Sequence, residues 1–269
     1  MRRLSIGEIQ SRQLNLMKKL HKFLSAKEIH YYMIAGSALG AIRHGGFIPW
    51  DDDIDIGMFR KEYEKFLSVC DEFDSQYEIV NYRKSSHCDF GLTRIYFENT
   101  RIDDESIEKT KLDKRLYLDI FPLDKVPEDD ELRGLFEKEI NKKKKQLSYM
   151  YPRNYGNSAV AMLIKKMVSI MYAPFRTRIL RRYDSLMRKY ENTDTAYVCS
   201  LCSQYSFKEQ VMPKSYYGTP TMHDFEDAEF YIPEQIDEYL VTLYGDDYMA
   251  IPTEGKRRKG HAVFCTDEE

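Results

Sequence analysis

Gly36-Ser37-Ala38-Leu39-Gly40, followed shortly by Pro49-Trp50-Asp51-Asp52-Asp53-Ile54-Asp55-Ile56, is the stretch on which the fold turns. It reads as an anion-binding turn feeding a metal-binding strand. Residues 31–35 are apolar and rich in strand formers, and the Gly-Ser after them opens a helical run ending near Arg43. A helix N-terminus there offers backbone N–H groups and a partial positive charge to an anion, while Gly36 lets backbone approach the ligand and Ser37 adds a hydroxyl. Over residues 53–56 the alternation puts Asp53 and Asp55 on one face of a strand and both isoleucines on the other. Two carboxylates on one edge suit a hard divalent cation that also holds a phosphate. Asp51 shares that parity and joins the candidate metal shell, whereas Asp52 is expected to point the other way.

Two plainer readings compete. Asp51, Asp53, Asp55 and Glu62 echo the ligand spacing of an EF-hand, but that loop needs glycine where this chain has Ile56, and Pro49 interrupts the incoming helix. A solvated acidic loop would not interleave isoleucines with its aspartates. The pattern instead implies a half-buried strand on which unpaired carboxylates repel each other, so a cation is expected among them.

Residues 35–58, together with Leu118-Asp119-Ile120-Phe121-Pro122-Leu123-Asp124 and Tyr244-Gly245-Asp246-Asp247-Tyr248-Met249 running on through Pro252 to Arg258 and His261, resemble the LicD family. These are bacterial phosphorylcholine transferases related to fukutin-type ribitol-phosphate transferases. The resemblance implies an α/β (α+β) nucleotidyltransferase-like fold, a mixed sheet flanked by helices. It implies transfer of a phospho-alcohol, phosphocholine first, from a CDP-activated donor such as CDP-choline. The acceptor would be a hydroxyl of a cell-surface glycan (lipopolysaccharide or teichoic acid) or of a lipid-linked oligosaccharide precursor, and CMP would leave. Ribitol or another polyol phosphate is the alternative cargo. A nucleotidyltransferase acting on a small molecule and a non-catalytic nucleotide- or sugar-binding module remain the competing functions.

On that reading Asp53 and Asp55 hold Mg²⁺, or Mn²⁺ in its place, with Asp51 beside them. Asp119, a polar residue amid the strand formers of residues 117–121, is the third carboxylate, either a base for the acceptor hydroxyl or a ligand of a second metal. Its structural alternative is an ion pair with an arginine such as Arg94. Gly36 and Ser37 would hold the donor phosphates. Arg43, His44, Arg94, Lys256, Arg257, Arg258 and His261 form the pool of cations for the leaving group, of which the resemblance supports Arg43, Arg258 and His261. Trp50, the single tryptophan, adjoins the acidic cluster and is the first choice for an aromatic that faces a quaternary ammonium; 21 tyrosines leave the other members open. Asp124, past Pro122, reads as a turn or cap residue.

Composition is consistent with this and narrower in what it says. With 269 residues the chain can bury a sizeable core. The net charge of -3, from 41 basic and 44 acidic residues, is not that of a protein that coats nucleic acid. Five cysteines without an apparent leader point to a reducing cytoplasm. Cys199-Ser200-Leu201-Cys202 has a zinc-ligand spacing but no second close pair; zinc would need two more ligands, from His223, Cys265 or elsewhere.

Residues 1–125 are assigned to the catalytic core and 126–269 to a mainly helical extension that packs on it and brings C-terminal basic residues to the site. Long helices are expected over residues 4–29, 62–73 and 234–244, the last capped by Gly245, and strands over 31–35, 53–58, 77–82, 90–97 and 117–121, where Pro122 would stop the strand. Residues 159–175 are the most apolar stretch, broken by Lys165 and Lys166 and followed by Arg176, Arg178, Arg181 and Arg182. Such a helix either touches the inner membrane surface peripherally or, as the favoured expectation, packs on the catalytic domain with its basic face in water.

Overall fold

The strand Asp55–Phe59 lies parallel to Tyr117–Lys125, and these two form the middle of a mixed sheet. Across the sheet the order is Tyr32–Met33, Asp55–Phe59, Tyr117–Lys125, Thr93–Phe97 and Tyr77–Val80, and every pairing but the central one is antiparallel. The computed structural model describes residues 2–84, 91–102, 113–150, 159–256 and 265–267. Tyr117–Lys125 is buried from Leu118 to Asp124 because both of its faces are covered, which is why it reads as an unbroken apolar run rather than an alternating one.

Pro122 does not stop this strand. Asp119 donates toward Ile54, so residues of the opposite parity turn their donors to the far edge. On that edge the antiparallel partner ends at the Thr93↔Ile120 pair, and the next, Tyr197–Cys199, begins at Asp124↔Cys199. Pro122 falls in the gap, where no ladder bond needs its missing N–H. Tyr197–Cys199 in turn pairs with Met212–Pro213, so residues beyond 125 extend the same sheet.

On one side of the sheet lies the helix Ile6–Ala26, begun by a reciprocal Ser5–Glu8 capping box and burying Ile9, Leu16, Met17, Leu20 and Leu24. It stops short of residue 29 because Glu28 takes a left-handed conformation, φ 53°. The antiparallel hairpin of Thr221–Phe225 and Ala228–Ile232 returns to this core and adds Phe225, Phe230 and Ile232 to it. At the far edge, Asp130–Met150 and Arg176–Met187 bury Phe136, Ile140, Leu180 and Tyr183 against Val80, Tyr96 and Val126. Arg60 ties that layer to the sheet. It donates two bonds of 2.7 Å to Asp124 and one of 3.2 Å to Asp184, all three side chains being buried. Asp124 is therefore a buried ion-pair partner within a strand, not a turn residue. Desolvation pushes its carboxyl up, against the pull of Arg60.

The helix Ala159–Tyr172 reverses the expected orientation. Ser169 turns inward and donates to the Met150 carbonyl at 2.7 Å, and Lys165 is half-buried, while the apolar residues are the exposed ones. A small sheet of Arg2–Arg3, Cys265–Asp267 and Thr100–Ile102 joins the chain termini. The architecture is the expected one, a mixed sheet flanked by helices.

Candidate active site

The helix Ala35–His44 starts one residue before the Gly-Ser pair, with Ala35 itself at φ 49° and its N–H donated to the Tyr239 hydroxyl at 2.9 Å. The preceding strand is thereby cut to Tyr32–Met33. Gly36 faces the acidic loop: a Cβ there would lie 2.8 Å from Asp51 Oδ2. Ser37 is buried, and its Oγ accepts from the Asp55 N–H at 2.8 Å, so its oxygen fixes the start of the metal strand instead of lining the cleft.

Residues 51–54 are irregular, and the strand begins only at Asp55. The loop is held from behind by the first helix. Gln10 donates to the Asp51 carbonyl at 2.8 Å, and Gln13 to the Tyr117 carbonyl at 2.8 Å and the Asp52 carbonyl at 3.4 Å. Asp52 is buried and, as its parity implies, does not line the cleft with Asp51, Asp53 and Asp55, yet it stays close to them. Asp51, Asp52 and Asp53 each bring an oxygen within 4.8 Å of the others, and Asp52 is the buried one. Burial alternates from Asp51 to Asp55 even though the segment is not a regular strand.

Asp55 stands in register with Asp119 on the parallel neighbour, and Asp119 with Arg94 on the strand beyond. Arg94 Nε donates to Asp119 Oδ1 at 2.7 Å, and its guanidinium lies 3.9 Å from the centre of the Tyr117 ring. The structure thus brings Asp119 both to Asp55 and to the arginine that was its structural alternative. Desolvation, and then the charges of Asp55, Asp51, Asp52 and Asp119, hold the Asp53 carboxyl well above the usual carboxylate range. Desolvation also raises Asp55, helped by Asp119 and Asp51 and opposed by Arg94.

Asp51, Asp53 and Asp55 open into a cleft of about 810 Å³, which Gly36, Arg43 and Trp50 also line. Its other wall comes from beyond residue 200: Tyr205, Tyr244, Asp247, Tyr248 and residues 250–253. Gly245, at φ 92°, ends the helix Ile236–Tyr244 and turns the chain into that wall, and Arg43 secures it by donating to the carbonyls of Tyr248 (3.0 Å) and Ala250 (3.2 Å). Tyr205 and Tyr244 join hydroxyl to hydroxyl at 3.0 Å, and Trp50 packs edge-on against His44. Sequence reasoning named Trp50 but not the three tyrosines or Asp247; Tyr244-Gly245-Asp246-Asp247-Tyr248 was the available signal. Asp119 is not among the lining residues. Arg258 and His261 lie outside the described residues, as does Arg257. Among the described residues the metal-capable group is the aspartate loop; desolvation raises the thiols of Cys199 and Cys202 far above the usual range, and no such group includes them.

Residues 28–156 match the LicD/FKTN/FKRP nucleotidyltransferase domain. The lipopolysaccharide cholinephosphotransferase LicD of Haemophilus influenzae is 27% identical over 269 residues, 97% of either chain. The human ribitol 5-phosphate transferase FKRP is 46% identical over 39 residues, 14% of this chain and 8% of its own length. Gly36, the aspartate loop and Asp119 all fall inside the matched stretch, so residues 28–156 form a domain of the LicD/FKTN/FKRP nucleotidyltransferase type.

Proposed function

We propose that the cleft binds a CDP-activated alcohol, CDP-choline first, and passes its phosphocholine to a hydroxyl of a cell-surface glycan or its lipid-linked precursor. The observation that carries this reading is that one cleft joins a carboxylate cluster to an aromatic wall. The first suits a metal-bound diphosphate and the second a quaternary ammonium. Similarity to the Haemophilus cholinephosphotransferase along nearly the whole chain supports the same choice of cargo.

The donor set is all carboxylate oxygen and its members raise one another's pKa, so it fits Mg²⁺ or Mn²⁺ held by Asp53 and Asp55 with Asp51 and Asp52 beside them. When bound, such a metal neutralises diphosphate charge and polarises the phosphoryl oxygens. Gly36 gives the donor phosphates close access to the backbone at the helix start. Trp50, Tyr205, Tyr244 and Tyr248, with the carboxylate of Asp247, surround the choline cation. The acceptor oxygen attacks phosphorus in line, the bond to the bridging oxygen breaks, and CMP departs with the negative charge. Asp119, oriented by Arg94, takes the hydroxyl proton. Arg43 acts as a positioning residue that holds the aromatic wall shut against the aspartates.

Product analysis with CDP-choline and a glycan acceptor tests the reaction. Free CMP supports it, and release of pyrophosphate from a nucleoside triphosphate instead would make the chain a nucleotidyltransferase. The match to FKRP favours a second cargo, ribitol phosphate, which a screen of CDP-alcohols under the same assay separates.

A further inference from the structure

The helix Ala159–Tyr172 wears its apolar side outward. Val160, Leu163, Ile164, Met167 and Met171 recur at spacings of three and four, so they form one stripe, and Phe175 in the following turn extends it. Their exposures run from 52% to 68%, whereas Ser169, on the opposite side, is 8% exposed and bonded to the Met150 carbonyl. A stripe of this kind ordinarily faces a core. Here the core side carries the serine.

The charge around it is as one-sided. Residues 141–183 contain eleven lysines and arginines and no aspartate or glutamate, in a chain whose net charge is -3. Lys142, Lys145, Lys166, Arg178, Arg181 and Arg182 from this segment are exposed. The helix has 14 residues, short of the roughly 20 that cross a bilayer, and no helix among the described residues is long and apolar enough to span one. A second copy of the chain docking through the same face would set this unopposed positive charge against itself. An anionic lipid surface meets both features at once.

We propose that the helix Ala159–Tyr172 lies in the interfacial plane of an anionic bilayer, its stripe in the acyl boundary and the flanking lysines and arginines among the headgroups. The surface is separate from the cleft, and the inference does not depend on which donor the cleft takes.

Flotation of the full chain with vesicles of phosphatidylcholine, with and without added phosphatidylglycerol, tests it. The protein floats with the anionic vesicles, not with the neutral ones, and raised salt releases it. Leu163→Glu with Met167→Glu, at two exposed positions, lowers the partition by about tenfold or more at an unchanged melting temperature. Arg178→Glu with Arg181→Glu, which leaves the stripe intact, lowers it by about fivefold per lost cation and flattens the salt dependence. Failure of the wild-type chain to float with anionic vesicles overturns the proposal. So does equal flotation of both variants, or a wild-type dimer that Met167→Glu turns into a monomer, which would show that a second copy covers the face.

Discussion

Asp55 and Asp119 stand at matched positions on adjacent parallel strands, and Asp119 is paired in the same row to Arg94. The row runs from the metal loop to a fixed cation across three strands, and Asp119 sits beside Asp55 rather than lining the cleft, so the acceptor proton would reach it through a water. If it takes the acceptor proton, Asp119→Asn keeps a hydrogen bond from Arg94 and loses turnover by about 10²-fold or more, with donor affinity unchanged. A purely structural Asp119 gives the opposite pattern: a lower melting temperature and normal turnover per folded molecule.

Asp53 and Asp55 are raised by burial and by one another's neighbourhood of carboxylates. Removing one charge from such a cluster relieves repulsion in the metal-free protein. Asp53→Asn or Asp55→Asn therefore leaves the metal-free melting temperature unchanged or raises it by about 2–4 °C, while transfer is lost. Thermal melts in chelator, run beside turnover in saturating Mg²⁺, check both halves; near-normal turnover in either variant removes that residue from the metal shell.

Arg60 holds two buried carboxylates, Asp124 and Asp184, and none of the three lines the cleft. Arg60→Ala strands Asp124, leaves Asp184 with Arg83 at 3.4 Å, and costs about 3–5 kcal/mol, roughly 10 °C in melting temperature, with turnover per folded molecule unchanged. Loss of turnover at full stability would mean that this pair, too, serves the reaction.

His21 packs among Tyr31, Phe230 and Tyr231, and burial lowers its pKa below the ordinary histidine value. The folded chain therefore favours the neutral ring. Its stabilising contribution is complete above the unfolded pKa, about 6.5, and is lost as pH falls from there through the lower folded value. His21→Gln removes that slope, so denaturant midpoints of wild type and variant, compared between pH 5 and 7.5, converge on acidification. Parallel curves would contradict the assignment.

Much of the site was legible in the sequence because its chemistry is written in contiguous residues. Gly36 and the aspartates, spaced within one short segment, reach the cleft together, and Asp119 betrayed itself as a carboxylate amid strand formers. What escaped depends on tertiary placement. Ser37 spends its acceptor on the Asp55 N–H, which no local pattern reveals. An oxygen of the buried Asp52 comes within 4.8 Å of those of Asp51 and Asp53, in a loop that Gln10 and Gln13, some forty residues earlier, hold by its carbonyls. Pro122 is tolerated only through a gap between two later strand partners. The inverted helix Ala159–Tyr172 obeys its periodicity, which gives the stripe but not the side on which the core lies. The hairpin of Thr221–Phe225 and Ala228–Ile232 turns at Glu226, left-handed at φ 56°, without the glycine that would have marked it.

In the proposed reaction one cleft brings a metal-bound donor to the aspartates. Titration calorimetry of CDP-choline into the wild-type chain, with Mg²⁺ and then with chelator, measures that directly. The proposed reaction requires saturable one-site binding with Mg²⁺ that disappears in chelator and in Asp55→Asn; equal affinity with and without the metal, or full affinity in that variant, would contradict it.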